Sequence, residues 1–492
     1  MPARGAGGRP ARRSHRRGPA LRRAAPGLSP RRGGQRRAGL LRRPGRAGRD
    51  PGPGAGRAGR GGRPVTGPGR LGRRTLLRAA VAAPVAGLAG CSGGATPVRV
   101  VVVWSAEELA RFRAVLRGYP AGPVQATSAG DDIDAFLNAR RLAGTSPDVA
   151  ILPRPGLVTA YARRGWLAQV EAAASYRTPT GLADLLSPDG RRHGVWVKAA
   201  HKSLFWYLPS RLPTPPATWD ELVALARRLG ARARAGTGPA PLAVGAADGW
   251  VLTDWFENVL ADVTDPPEYD ALARGTADWQ GRPVRAALLR LAELWGLPGA
   301  FPGGGRRALL TQFQESVIQV VRRREAVLLY GADFTDSVAR TFRHGPEQPA
   351  TFRFPGARAG VDGPLLVGGD VAVAFAGSTA GVRLVQWLTE VPSFGPWRRS
   401  GGYLSPDVSV PPWDYPDSMT QLLATELRQA ASPRFDLSDR LPAPFTGSDG
   451  IGIWRIMQDF FADVTNAVPP AEAVRRTMVA LSGAARDTER AR

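Results

Sequence analysis

The 492-residue sequence contains a single cysteine, Cys91. One thiol allows no intrachain disulfide framework and no cysteine-based metal site. The four histidines, His15, His193, His201 and His344, lack the spacing that sets two ligands on one helix face, so no metal site is expected. Lysine is almost missing, with Lys198 and Lys202 the only two among 67 basic residues. No apolar run in the chain reaches the roughly 18 residues a membrane-spanning helix needs. The sequence also has no H-E-x-x-H, no G-x-S-x-G and no phosphate-loop lysine, which removes the usual signatures of zinc proteases, serine hydrolases and nucleotide hydrolases. No internal repeat is visible.

The net charge of +26 suggests nucleic acid, but its distribution argues against it. Residues 1–90 hold 23 Arg and one acid, Asp50, whereas 91–492 hold 44 basic and 40 acidic residues. The excess thus sits in a leader of Arg, Gly, Pro and Ala (1–69) that cannot bury enough apolar surface to order itself. Two G-x-G-x-x-G matches there, Gly54-Gly56-Gly59 and Gly67-Gly69-Gly72, follow no strand and carry no dinucleotide signal. The leader reads as translated upstream sequence, with Val65 as an alternative start. No nucleic-acid partner is expected of the balanced remainder.

Residues 70–91 have the three parts of an export signal: Arg70 to Arg78 as the cationic region, the apolar stretch Ala79 to Gly90, and small residues before a cleavage point. Arg73-Arg74 resembles a twin-arginine signal, and Leu88-Ala89-Gly90-Cys91 resembles a bacterial lipobox. That resemblance implies cleavage before Cys91, lipidation of its sulfur and an anchor on the outer face of the cell membrane.

Beyond the signal, elements alternate. Val98–Trp104 is β-branched enough for a strand buried on both faces. Leu109, Phe112 and Leu116 follow at helical spacing, and a short strand is expected near Val124. Asp131 or Asp132 can cap the next helix, and Asp148–Leu152 is a second buried strand before a helix over 157–164. This order predicts an α/β lobe with a mostly parallel sheet, whose ligands sit at the carboxyl ends of the strands. Val195–Tyr207 reads as one long strand able to pass from one lobe to another. Thr218-Trp219-Asp220-Glu221 is a capping box, and Arg282–Trp295 is an amphipathic helix with Pro283 in its first turn. Glu325–Gly331 is a strand. Leu365–Phe375 is another, where Gly368-Gly369 suggest a bend or a close backbone approach, and it is read as the return crossing. The last third is helical.

Several segments carry a resemblance in order along 98–482: Pro147-Asp148-Val149-Ala150 with Pro155-Gly156, Pro216 to Leu222, Gly249 to Glu257, Thr351 to Pro355, Gly368 to Val371 and Phe435 to Pro442. Together they resemble extracellular solute-binding proteins of carbohydrate ABC transporters, in the α-glucoside-type branch. The resemblance implies an α/β, periplasmic-binding-protein-like II fold of two lobes joined by crossing segments, with a helical C-terminal region. Lobe 1 is expected over 97–200 with about 371–412, and lobe 2 over 201–366 with about 430–484. It also implies a sugar ligand held between the lobes without chemical change, a permease partner, no cofactor and a monomer.

A sugar presents flat C–H faces and a rim of hydroxyls, so its site needs aromatic rings and a few placed polar groups. All 13 Trp lie beyond residue 103. Trp104 ends the first strand, with Ser105 beside it and Arg154 after the β-strand at 148–152. Trp250 and Trp255 flank Asp254, which shares a helix face with Glu257; such a pair reads as solvated surface unless the flanking rings turn Asp254 to the cleft, and it is too local to flank a glycosidic bond. Lys202, four residues after Lys198 on the same strand and so on the same face, can reach ligand from the crossing, as can Asp333 and Asp370. The resemblance adds Trp454, at the start of a late helix. Trp206, Tyr207 and Trp219 read as core. Two other functions stay open: a secreted glycoside hydrolase, which needs two carboxylates across a glycosidic bond, and a binder of a non-sugar solute such as a peptide or polyamine.

Overall fold

The computed structural model describes residues 96–490 apart from 180, 359–362, 431–432 and 447–451. The Arg-rich leader, the export signal and Cys91 lie outside the described residues.

Among the described residues ten strands form two sheets. The first contains β1 (Val98–Val102), β2 (Val124–Ser128), β3 (Val149–Leu152), β4 (Val195–His201), β9 (Leu366–Ala374) and β10 (Arg434–Phe435). The second contains β5 (Leu204–Tyr207), β6 (Ala240–Ala243), β7 (Ala326–Tyr330) and β8 (Ala350–Arg353), in the order β6-β7-β5-β8. In the first sheet β1 lies between β2 and β3, both parallel to it. The valines of β1 are buried on both faces, and only Arg99 reaches solvent. β3 is buried throughout.

The expected mostly parallel sheet is in fact mixed. β9 returns from the other half of the molecule and so runs antiparallel to both β3 and β4. Its β4 partner fills one edge, while β3 and then β10 share the other. β9 is continuous through Gly368 and Gly369, and of the two expected reasons for glycine there the close approach is the one seen. A Cβ on Gly369 would lie 2.7 Å from the Lys198 carbonyl oxygen, and one on Gly368 would lie 2.8 Å from Lys202 Cε.

The long strand predicted over 195–207 is two strands in different sheets. β4 ends at His201, β5 begins at Leu204, and the chain changes sheets across Lys202-Ser203. The crossing is tied by backbone bonds: Lys202 N–H donates to Leu366 C=O at 2.8 Å and Asp436 N–H to Val367 C=O at 2.8 Å. A first passage (202–203), a second (365–367) and a third (434–436) therefore run side by side.

Helix Ala106–Leu116 packs on β2, Pro155–Arg163 on β3 and Thr379–Trp387 on β3 and β9, all against the first sheet. Trp219–Arg234 and Phe313–Val321 cover the second. The capping box is present: Thr218 Oγ1 accepts from Glu221 N–H at 3.2 Å, and Glu221 Oε2 accepts from Ala217 N–H at 2.7 Å. Pro283 sits in the first turn of Arg282–Trp295, as expected. The Asp132 cap is not formed by its side chain, because a 3₁₀ turn leads straight into Ile133–Leu142. Helices Gly249–Val263, Arg282–Trp295, Ile453–Thr465 and Pro470–Arg490 pack on one another.

Gly249 marks a close approach between two of these helices, where an added Cβ would stand 2.7 Å from Trp454 Cβ and 2.9 Å from its carbonyl oxygen. Gly249→Val forces the helices apart and is expected to cost about 1–3 kcal/mol. Urea unfolding measures it, and an unchanged midpoint would contradict this packing.

Candidate functional site

The carboxyl ends of β1 and β3 lie side by side, since Val102 is in register with Ile151. The chain leaves β1 through Trp104 and Ser105, and β3 through Arg154. Ser105 precedes Ala106–Leu116 and Arg154 precedes Pro155–Arg163, neither helix having a side-chain cap. Ala106 takes φ 43°, a left-handed conformation that costs a non-glycine residue about 1 kcal/mol or more. Such strain persists where its surroundings impose it.

Below this rim sits a group of charges around Lys198. Its ammonium donates to Glu108 Oε1 at 2.6 Å and lies 5.5 Å from the centre of the Trp397 ring. Asp370 accepts from Trp104 Nε1–H at 2.8 Å, and Asp333 Oδ1 accepts from the His201 backbone N–H at 2.8 Å. Burial works against the Lys198 charge, but Glu108, Asp370 and Asp333 outweigh it and hold its pKa above the ordinary lysine value. Burial pushes the carboxyls of Asp333 and Asp370 up to about 6, with Lys198 opposing. Glu108 and Asp370 stand on the first half, while Asp333 follows β7 of the second sheet. The cluster therefore spans the junction of the two.

A second cluster fills the crossing itself. Lys202 Nζ donates to Asp436, and lies 3.5 Å from both Asp254 Oδ1 and Asp439 Oδ2. Glu257 accepts backbone N–H bonds from Leu437 at 2.6 Å and Ser438 at 2.9 Å, and the Tyr269 hydroxyl at 3.3 Å. Tyr330 O–H donates to Lys202 C=O at 2.6 Å, and Ser203 Oγ–H to Asn258 Oδ1 at 2.6 Å. Burial raises the pKa of Asp254 and Glu257 well above the carboxylate range. Burial opposes ionisation of Asp436 too, but Lys202 prevails and lowers its pKa. Asp254, Glu257 and Asp436 bring oxygens within 4.8 Å of one another, a spacing that could hold a cation. Here Lys202 supplies the positive charge and both Glu257 oxygens already accept N–H bonds, so the residues fit an internal ion-pair network better than a metal cage, with Asp254 Oδ2 left without a hydrogen-bond partner among the described residues.

Several expectations need correction. Trp104 offers no open stacking face: it is 3% exposed, packed edge-on against Phe112 and Trp397, and acts through its N–H on Asp370. Trp255 is core, wedged among Phe205, Trp295 and Tyr330. Asp254 is buried with Lys202, and Glu257 beside it is buried instead of forming a solvated helix face. Lys198 and Lys202 do not share a strand face, because the strand ends between them and each ammonium joins a different cluster. Trp206, fully buried, and Trp219 are core as expected, and Tyr207 is half-buried. Trp250 is half-buried against Phe313 and Phe334. Trp454 is half-buried and faces the Arg154 guanidinium, whose carbon lies 5.7 Å from its ring centre.

Sequence reasoning missed Glu108, Lys198 and Trp397 as site residues. The rarity of lysine pointed at Lys198. Glu108 looked like any acid in a first helical turn, and no local pattern ties Trp397 to β1.

Residues 124–390, more than half of the chain, match the family model described as bacterial extracellular solute-binding protein. The osmoprotective compounds-binding protein GgtB of Synechocystis sp. is 29% identical over 359 residues, 70% of this chain and 84% of that protein. The alpha-glucosides-binding periplasmic protein AglE of Rhizobium meliloti is 26% identical over 393 residues, 74% of this chain and 83% of that one. Among solved structures, the bacterial solute receptor AcbH, described as preferring β-D-galactopyranose, superposes with a TM-score of 0.67 at 15% identity, covering 80% of this chain and 99% of that one. At that identity the likeness shows the fold.

The buried Asp333 gives a signed pH prediction. Its carboxyl titrates near 4 in the unfolded chain and at about 6 in the folded protein. Folding is therefore penalised increasingly as pH rises from about 4 to about 6, and by a constant amount above that. Asp333→Asn keeps the acceptor for His201 and removes the titration. Thermal unfolding should show the variant gaining about 2 kcal/mol relative to wild type between pH 4.5 and 7.5; a pH-independent difference would contradict the assignment.

Proposed function

Since the chain belongs to the family of bacterial extracellular solute-binding proteins, we propose that it captures a sugar or oligosaccharide between its two halves and passes it to the permease of an ABC-type uptake transporter. The observation that carries this reading is the charge cluster just below the carboxyl ends of β1 and β3. Glu108, Asp370 and Lys198 on one side face Asp333 on the other, beside Trp104. Carboxylates accept hydroxyl protons and the ammonium donates, which suits the rim of a sugar. The names of GgtB and AglE, an osmoprotectant binder and an α-glucoside binder, agree with such a ligand.

The protein acts by binding and release, with no chemical step. The pair nearest to what a hydrolase reading would need, Asp254 and Glu257, is buried in the crossing network, with Lys202 3.5 Å from Asp254 Oδ1 and both Glu257 oxygens accepting backbone N–H bonds. No helix among the described residues is long and apolar enough to cross a membrane. We place the chain on the outer face of the cell membrane as a monomer held by a lipid on Cys91, with lobes over 97–200 with about 371–412 and over 201–366 with about 430–484. Cys91→Ser is expected to move the protein from the membrane fraction to the medium; retention in the membrane fraction would exclude the anchor.

A thermal-shift screen against mono- and oligosaccharides tests the binding reading. A ligand at about 100 times its dissociation constant adds about 2.7 kcal/mol to the folded state. Lys198→Met should weaken the bound saccharide about tenfold or more by leaving polar partners unsatisfied. No shift with any saccharide would overturn the reading.

A further inference from the structure

One cation at the rim is unaccounted for. Arg154 is 6% exposed, its Nη1 is buried without a hydrogen-bond partner, and its guanidinium makes no ion pair among the described residues. An unpaired buried charge costs several kcal/mol, so the free protein holds this group at a loss. Among the described residues its one close partner is the face of Trp454. The Trp454 Nε1–H is likewise buried without an acceptor there. Two donors thus stand together with no acceptor among the described residues.

The surroundings add more positive potential. Arg154 directly precedes helix Pro155–Arg163, and Trp454 is the second residue of Ile453–Thr465; neither N-terminus has a side-chain cap. Helix N-termini carry partial positive charge and favour anions. The first helix follows β3, and the second packs against Gly249 in the other half. Asp439 feels the Arg154 charge but is not its partner, since its carboxylate is engaged with Lys202 at 3.5 Å. A neutral hydroxyl needs an acceptor for its own proton. A carboxylate or phosphate accepts only, and matches a guanidinium in two-pronged fashion.

We propose that the ligand is an acidic saccharide, carrying a carboxylate or phosphate, and that Arg154 pairs its anionic group with the Trp454 N–H as second donor. The proposal rests on the sugar-binding reading and narrows it.

Titration calorimetry on the whole chain tests it, with matched sets of neutral mono- and disaccharides, their uronates and their 6-phosphates as probes. An acidic member should bind at least tenfold more tightly than its neutral counterpart, and this preference should shrink as salt rises. Arg154→Met should abolish the preference and Arg154→Lys should keep part of it. The melting temperature of ligand-free Arg154→Met should equal or exceed that of wild type, because an unpaired buried charge is removed. Equal or tighter binding of neutral saccharides, with Arg154→Met affecting both classes alike, would overturn the acidic-ligand proposal while sugar binding stands. A lower melting temperature for ligand-free Arg154→Met would also count against it. Failure of every probe, neutral and acidic, would overturn the sugar reading itself.

Discussion

The two sheets are joined across two residues, Lys202 and Ser203, and the arrangement of everything around the site follows from how that step is fixed. Ser203 Oγ accepts from Leu366 N–H at 2.8 Å and donates to Asn258 at 2.6 Å, tying the first passage to the second and to helix Gly249–Val263. Lys202 lies against Gly368 of the second passage and bonds Asp436 at the end of the third. One ammonium thus holds together three separate stretches of chain. Its burial is costly in isolation, and an apolar replacement of the whole network could be equally stable. What the charged version supplies is direction: an ammonium amid carboxylates accepts few alternative registers.

The two clusters share a logic with different outcomes. Around Lys202 every strong acceptor has a donor within the protein, apart from Asp254 Oδ2. Around Lys198 the carboxyls of Asp333 and Asp370 each accept one bond and stand across the junction of the halves. At Arg154 the described residues supply no hydrogen-bond acceptor. Moving from the crossing toward the rim, polar groups go from fully used to unused, as expected where the structural interior gives way to a surface that a ligand completes.

Much of this was legible in the sequence because periodicity and capping are local. The valines of β1, the 149–152 strand, the Thr218 capping box and the late helices announced themselves within a few residues. The alternation of strand and helix fixed the class. What escaped was set by distance in the chain. The break at Lys202-Ser203 occurs inside an unbroken β-like run, and only pairing with β9 and β7 divides it. Asp254 and Glu257 looked like a solvated helix face because their partners, Lys202 and the 436–438 segment, lie about 50 and 180 residues away. Trp104 was correctly placed at a strand end, but Trp397, which covers it, could not be anticipated from either neighbourhood.

The account stands on Lys202 and Asp436 forming one coupled unit at the crossing. A double-mutant cycle with Lys202→Met, Asp436→Leu and the pair, read by urea unfolding, measures that directly. Lys202→Met strips Asp436 of its counter-ion and Asp436→Leu leaves Lys202 only the 3.5 Å contacts to Asp254 and Asp439; each should cost about 3–5 kcal/mol, while the pair should recover at least about 2 kcal/mol of the summed loss. Single costs that add within about 0.5 kcal/mol would show that the two groups act separately and that the crossing is held by something else.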